Sequence, residues 1–282
     1  MEKWKAPKKP RIGIYTMGLK AYWNQFPGLR ERLLHYGQFI SDKITALGGE
    51  VFFYGLADCE EAGRECGEYF NSHNVDLIFA HSGTYVNSSS VLPIHQICRV
   101  PVVVLNLQPA ARIAYDRTTT GEWLAHCGAC PVPELSNAFH RSGIACRIIN
   151  GLLGLDHTPD ISLTEENTAS RPEAIKAWKE IGEWVKAAAV KRELSGCRFG
   201  FLGNTYNGML DMYSDFTMIQ AQTGAHIEIL EMCDLNRELL QVTEEEVLAK
   251  KQEILEFFLI SEEKAADPLA QKPTEEQLDW SA

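Results

Sequence analysis

The chain has 282 residues, 45% of them hydrophobic and 23% charged, with a formal net charge of −11. This is the composition of an ordinary globular protein, and the negative charge argues against nucleic acid as a main partner, because phosphate contacts need clustered Lys and Arg. No run approaches the roughly 18 apolar residues that a membrane span needs, and no apolar signal-type segment precedes the first predicted strand.

Lys3, Lys5, Lys8, Lys9 and Arg11, spaced by Pro7 and Pro10, read as a solvated basic tail. Arg11 to Thr16, RIGIYT, is the first predicted strand, and the loop 17–27 after it carries Tyr22, Trp23 and Phe26. Leu29 to Leu47 has apolar residues at helical spacing and stops at Gly48-Gly49. Glu50 to Tyr54 is a second strand. Asp58 to His73 is a second helix, with Asp58 as its expected N-cap. Val75 to Ala80, VDLIFA, is a third strand, followed by His81-Ser82-Gly83-Thr84, and Ser88 to Cys98 is a helix. Val100 to Leu105 is a continuous apolar strand leading into Asn106-Leu107-Gln108-Pro109. From Ala110 to Gly154 the pattern is irregular and largely helical, with Pro131 and Pro133 expected to break it.

Strands that are apolar throughout and alternate with helices indicate a parallel sheet covered on both faces. The expected class is α/β: two open parallel-sheet domains of flavodoxin or Rossmann type, spanning 1–169 and 170–282. The polar connection from His157 to Ala169 marks the boundary, and Ser170 to Glu173 forms an expected capping box that opens a helix to about Leu194.

The second half is organised around Arg198 to Phe216, RFGFLGNTYNGMLDMYSDF. An apolar run, Phe199 to Leu202, leads into a polar loop, Gly203 to Gly208, and then a helix from Met209 to Gly224. This strand-loop-helix unit forms ligand sites at the carboxyl edge of open α/β sheets, although Asn and Gly are also plain turn residues. Ala225 to Leu230 is the next strand, with Glu231, Cys233 and Asp234 at its end. Thr243/Glu246 and Thr274/Gln277 are two further capping boxes. With only two clear strands, the second domain is expected to be incomplete and the chain to be the N-terminal portion of a longer protein.

The eight cysteines are scattered through predicted helices and strands. Without a secretion signal they read as free thiols in a reducing cytoplasm. Cys127-Gly128-Ala129-Cys130 is a lone CxxC. A structural zinc site needs a second ligand pair, and none follows at suitable spacing. A redox motif would normally open a helix just after a first strand, which is not the position here, so a structural role is the simpler reading and a metal or redox role the minor alternative.

Gly203 to Leu235, GNTYNGMLDMYSDFTMIQAQTGAHIEILEMCDL, resembles the second-domain signature of the L-fucose and L-arabinose isomerase superfamily, particularly its isomerase-like members. RIGIYTMGLKAYWNQFPGL is similar to the first strand and loop of that family, and VVVLNLQP to the end of its first domain. The resemblance implies two N-terminal α/β domains and a C-terminal domain, acting in aldose–ketose isomerisation. A divalent metal, usually manganese, then holds two adjacent substrate oxygens while a carboxylate moves a proton between C1 and C2. The family's metal ligands fall later than any residue here, and neither Glu231, Asp234 nor the histidines match them. The expected cofactor is therefore Mn2+ held outside this chain, and the isolated chain is expected to be inactive.

The same resemblance implies a cytoplasmic homo-oligomer, trimer-based, in which first-domain loops wall the sugar site of a neighbouring subunit. By position, the substrate-binding candidates are Met17, Tyr22, His81, Ser82 and Gln108, with Tyr206 from the second domain. Each follows a strand end, where a polar or aromatic group can meet a sugar. Bland alternatives stand beside them: His81 capping a helix, Gln108 satisfying loop backbone, Met17 and Tyr22 packing. A different class also stays open, a non-catalytic cytosolic sugar-binding or sensor protein with two α/β lobes.

Overall fold

The computed structural model describes residues 8–116, 118–157, 167–203 and 206–282. Lys3 and Lys5 of the basic run, residues 158–166 of the polar connection, and Asn204 and Thr205 of the central loop lie outside the described residues. The described chain falls into two compact units that meet in sequence at Gly196 and Cys197.

The first unit is built on five parallel strands: β1 (Arg11–Met17), β2 (Glu50–Ala57), β3 (Leu77–His81), β4 (Val102–Gln108) and β5 (Cys146–Leu152), in the order β2-β1-β3-β4-β5. Its helices are α1 (Leu29–Ala46), α2 (Glu60–Ser72), α3 (Ser88–Ile97), α4 (Thr120–Leu124), α5 (Val132–Arg141) and α6 (Pro172–Leu194). The strands are continuous apolar runs because alternate side chains enter two different cores. Ile12, Ile14, Leu77, Phe79, Val103, Leu105 and Ile149 share one core with Leu33, Ile40 and Ile44 of α1 and Ile181 and Val185 of α6. Tyr15, Met17, Ile78, Ala80, Val102 and Val104 share the other with Phe70 of α2, Val91 and Ile94 of α3, and Leu135 and Phe139 of α5.

Several expectations change here. The compact unit runs on to Gly196, so α6 belongs to the first unit and the boundary expected at 169 moves to its end. The reason is physical: Ala177, Ile181, Val185 and Ala188 bury their stripe on the first core. The Trp178 indole also donates to the Leu153 carbonyl at 2.8 Å, and Arg192 reaches both oxygens of Asp76. The segment read as largely helical contains a fifth strand, β5. Pro131 and Pro133 open α5 instead of breaking it, since a missing N–H costs nothing in a first turn. Asp58 does not cap α2, whose N-cap is Cys59; its carboxylate accepts from the Trp23 indole at 2.6 Å. Ser170 is not a cap either: α6 begins after Arg171, which pairs with Glu173.

Strand β2 lies at one edge of the sheet and carries a bulge. Ile14 is opposite Phe53 but Tyr15 is opposite Gly55, so Tyr54 is left over and Gly55 takes φ 102°. The displaced Tyr54 hydroxyl donates to Glu65 of α2 at 3.0 Å.

The second unit contains two parallel strands, β6 (Arg198–Leu202) and β7 (His226–Leu230), with α7 (Phe216–Thr223), α8 (Met232–Leu239), α9 (Glu244–Phe257) and α10 (Glu275–Ser281). The helix expected from Met209 begins at Phe216, where the Asp215 side chain accepts from the Met218 N–H at 2.9 Å; a single 3-10 turn, Leu210–Met212, precedes it. It ends at left-handed Gly224, as its sequence predicts, and the capping boxes at Thr243 and Thr274 both form. Among its described apolar residues only Ala225 and Leu278 are buried, which agrees with a sheet too small to organise a core. No described helix in either unit is long and apolar enough to cross a membrane.

A glycine sets the close contact between α2 and α3. A Cβ on Gly63 would lie 2.0 Å from the Ser90 carbonyl oxygen, so only glycine lets the two backbones approach. Gly63→Ala is expected to lower the unfolding free energy by roughly 2 kcal/mol or more through overpacking. It should be read in urea as a fall in midpoint at unchanged slope. A variant within about 0.5 kcal/mol of the parent would mean that the helices do not meet there.

Candidate functional site

In the order β2-β1-β3-β4-β5 the chain turns in opposite directions on either side of β1. The segment leaving β1 goes to α1 on one face, and the segment leaving β3 goes to α3 on the other. The two connections diverge and leave a crevice at the carboxyl edge of the sheet, the place where open α/β sheets bind ligands. Five of the six candidates lie along this edge; the sixth, Tyr206, belongs to the second unit, where it is exposed.

Met17 closes β1 and is fully buried in the core beneath α2, α3 and α5. His81 closes β3 and is 1% exposed, with Nδ1 3.2 Å from the Thr16 hydroxyl of the neighbouring strand. Burial pushes its pKa down to about 3, so it is a neutral imidazole at any physiological pH. Ser82 is equally buried; its amide donates to the Leu105 carbonyl at 2.9 Å and its hydroxyl to the Gly128 carbonyl at 2.5 Å. These three side chains support the edge from below. Tyr22 and Gln108 are the half-buried pair that meets solvent. Tyr22 ends a 3-10 turn, Lys20–Tyr22, with its ring edge-on to Phe26 at 5.8 Å.

The structure adds a feature that sequence reading passed over. Asn106, Gln108 and Asn150 interrupt the apolar runs of β4 and β5, and Asn106 stands opposite Asn150 in the ladder. Gln108 Nε2 donates to Asn106 Oδ1 at 2.9 Å, and Asn106 Nδ2 donates to Asn150 Oδ1 at 2.7 Å. The three amides form a connected row on the partly open end of a face that is otherwise apolar. Its signal in the sequence was polarity at alternate positions (106 and 108) at the end of VVVLNLQ.

The Cys127–Cys130 turn lies against the same edge. A Cβ on Gly128 would be 2.1 Å from the Ser82 carbonyl oxygen and 3.5 Å from Gln108 Nε2, so backbone presses on backbone there. Burial, and then the thiols of Cys127 and Cys130, push up the Tyr22 phenol. His126, just before it, donates from Nδ1 to the Glu122 carbonyl at 2.9 Å, while its buried Nε2 has no partner among the described residues.

Two cavities flank the sheet of the first unit. One of about 320 Å³ lies between the start of α1 and the start of α4, lined by Phe26, Arg32 and Glu122 among others. A larger one, about 730 Å³, lies at the amino ends of β4 and β5 against Arg99, Arg147 and Trp184, away from the candidate edge. Among the described residues no three His, Cys, Asp or Glu side chains converge to hold an ion, so these residues do not fit a manganese ligand set.

No family model and no curated protein matches this chain. Among solved structures, the chain is similar to a Bacteroides fragilis protein assigned as an acylhydrolase, at 10% identity over 64% of this chain and 91% of that one, with a TM-score of 0.36. At that level the likeness carries no argument about activity.

His81 and His95 give the first unit a pH signature. His95 is buried with Nε2 3.0 Å from the Tyr15 hydroxyl, and burial also lowers its pKa to about 3. Unfolding returns each imidazole to about 6.5. The unfolded chain therefore binds more protons between those values, and stability is full above about pH 6.5 and falls as pH drops below it. Urea unfolding at pH 7 and pH 5.5 should show a loss on the order of 1 kcal/mol per histidine per pH unit. His95→Gln should remove about half of that slope, and a pH-independent midpoint would contradict the burial of both rings.

Proposed function

We propose that this chain is the substrate-positioning and oligomer-forming part of an aldose–ketose isomerase of the L-fucose and L-arabinose isomerase type. The observation that supports it most directly is the amide row Gln108-Asn106-Asn150 at the carboxyl edge, with half-buried Tyr22 on the loop that follows β1. A polyol needs neighbouring donors and acceptors for its hydroxyls and an apolar face for its C–H side. Carboxamides supply both hydrogen-bond roles from one group, and a tyrosine ring supplies the second surface. Buried Met17, His81 and Ser82 act in this reading by holding the edge in place, and neutral His81 does so without adding charge beside an uncharged sugar.

The reaction moves a proton between C1 and C2. A divalent metal, usually manganese, would supply Lewis-acid stabilisation of the negative charge that such a reaction develops. In this reading its ligands lie outside this chain, and the residues here bind and orient the sugar. Tyr206, in the second unit, is assigned in this reading to the metal-bearing side of a site formed between subunits. The assembly is a cytoplasmic, trimer-based homo-oligomer in which the edge of one subunit serves the metal-bearing side of another.

The test uses a protein extended beyond Ala282 and supplied with manganese. It is expected to interconvert an aldose and a ketose among the aldopentoses and 6-deoxyaldohexoses. Gln108→Ala should raise KM about tenfold, the loss expected for one neutral hydrogen bond. The 282-residue chain alone should show no micromolar manganese binding by calorimetry. An extended protein that leaves every such sugar unchanged would overturn the reading.

A further inference from the structure

Cys127 and Cys130 are not used by the proposed isomerase chemistry, yet their placement is specific. The Cys130 amide donates to the Cys127 carbonyl at 3.2 Å, which closes residues 127–130 into a turn. Such a turn holds its end Cα atoms within about 7 Å, so the roughly 4.4–6.8 Å that a disulfide spans is reached with little backbone movement. The Cys130 side chain lies near enough to the Cys127 thiol to influence its ionisation. Both are free, Cys127 buried and Cys130 exposed. We propose that Cys127 and Cys130 form a reversible dithiol–disulfide site that exchanges with low-molecular-weight disulfides.

The exposure difference assigns the roles. Exposed Cys130 is the attacking group: its thiolate attacks one sulfur of the small disulfide, the S–S bond breaks, and one small thiolate leaves and takes a proton from water. Cys127 then loses its proton to water and attacks the Cys130 sulfur, expelling the second small thiolate. The two cysteines give up two electrons and two protons, and the small disulfide accepts them as two thiols. Burial, and then Cys130 beside it, push the Cys127 thiol up, so loss of its proton is the slower part of the second step, which proceeds because the mixed disulfide on Cys130 is held beside it. Cys66 and Cys98 provide the contrast. Both are buried, burial raises both thiols, and neither presents a sulfur from which exchange could start. The exchange site is independent of the sugar reading; either can fail without the other.

The experiment is differential alkylation with peptide mass mapping after equilibration with oxidised glutathione. The expected result is joint loss of labelling at Cys127 and Cys130, a 127–130 peptide lighter by two hydrogens, and full recovery with dithiothreitol. Cys66 and Cys98 should remain reduced. In Cys127→Ala a glutathione mixed disulfide should accumulate on Cys130. In Cys130→Ser, which changes an exposed position and keeps the fold, Cys127 should stay reduced. Retained labelling at both positions in the parent would overturn the proposal, as would a mixed disulfide on Cys130 that Cys127 fails to resolve.

Discussion

Five parallel strands leave no side of their sheet free for water, and that constraint organises the first unit. A purely parallel sheet is joined by crossovers that must lie on its faces, so each face needs an apolar layer from helices. The two cores meet this need from alternate residues of the same strands. On one face α1 and α6 cover Ile12, Ile14, Phe79 and Val103; on the other α2, α3 and α5 cover Tyr15, Ile78 and Val104. Removing α6 would uncover one face of β4 and β5, which is why this helix belongs to the first unit despite the polar connection before it. The same demand explains the glycine at position 63: α2 and α3 share one face and must come close to cover it.

What the helices leave uncovered is the carboxyl edge, and there the chemistry of the chain changes. Asn106, Gln108 and Asn150 replace the valines and isoleucines of the strand interiors and satisfy one another. Below them His81 and Ser82 are held by neighbouring strands and by the Gly128 carbonyl. The buried members of this polar layer, His81 and Ser82, need their partners to be stable there, and those bonds help to fix the edge geometry. The Cys127–Cys130 turn is tied into that layer through Gly128, and any change in its covalent state acts on an edge that has little room to adjust.

The features legible in the sequence were those written in local pattern. The alternation of strand and helix, the stop at Gly224 and the capping boxes at Thr243 and Thr274 depend on residues within a few positions of each other. The features missed depend on partners far away in the chain. β5, CRIINGL, carries an arginine and an asparagine and reads as a strand only when set against β4. Asp58 has the right type for a cap but is drawn off by Trp23. Of the candidate residues, strand-end position was visible from sequence, while burial was not: Met17, His81 and Ser82 sit under the edge, and Tyr22 and Gln108 at it. The amide row was legible only in part, because Asn150 lies in the strand that the pattern did not reveal.

The bulge at Tyr54 and Gly55 bears on how copies of this chain can associate. β2 is an edge strand, and an edge with evenly spaced free N–H and C=O groups invites another strand to add to it. The left-over residue interrupts that spacing midway along β2, and Gly55 turns the backbone out of line. A second chain pairing there would find its ladder broken after a few residues. Growth of the sheet from molecule to molecule across this side is disfavoured, and the protein gains resistance to fibrous aggregation at β2.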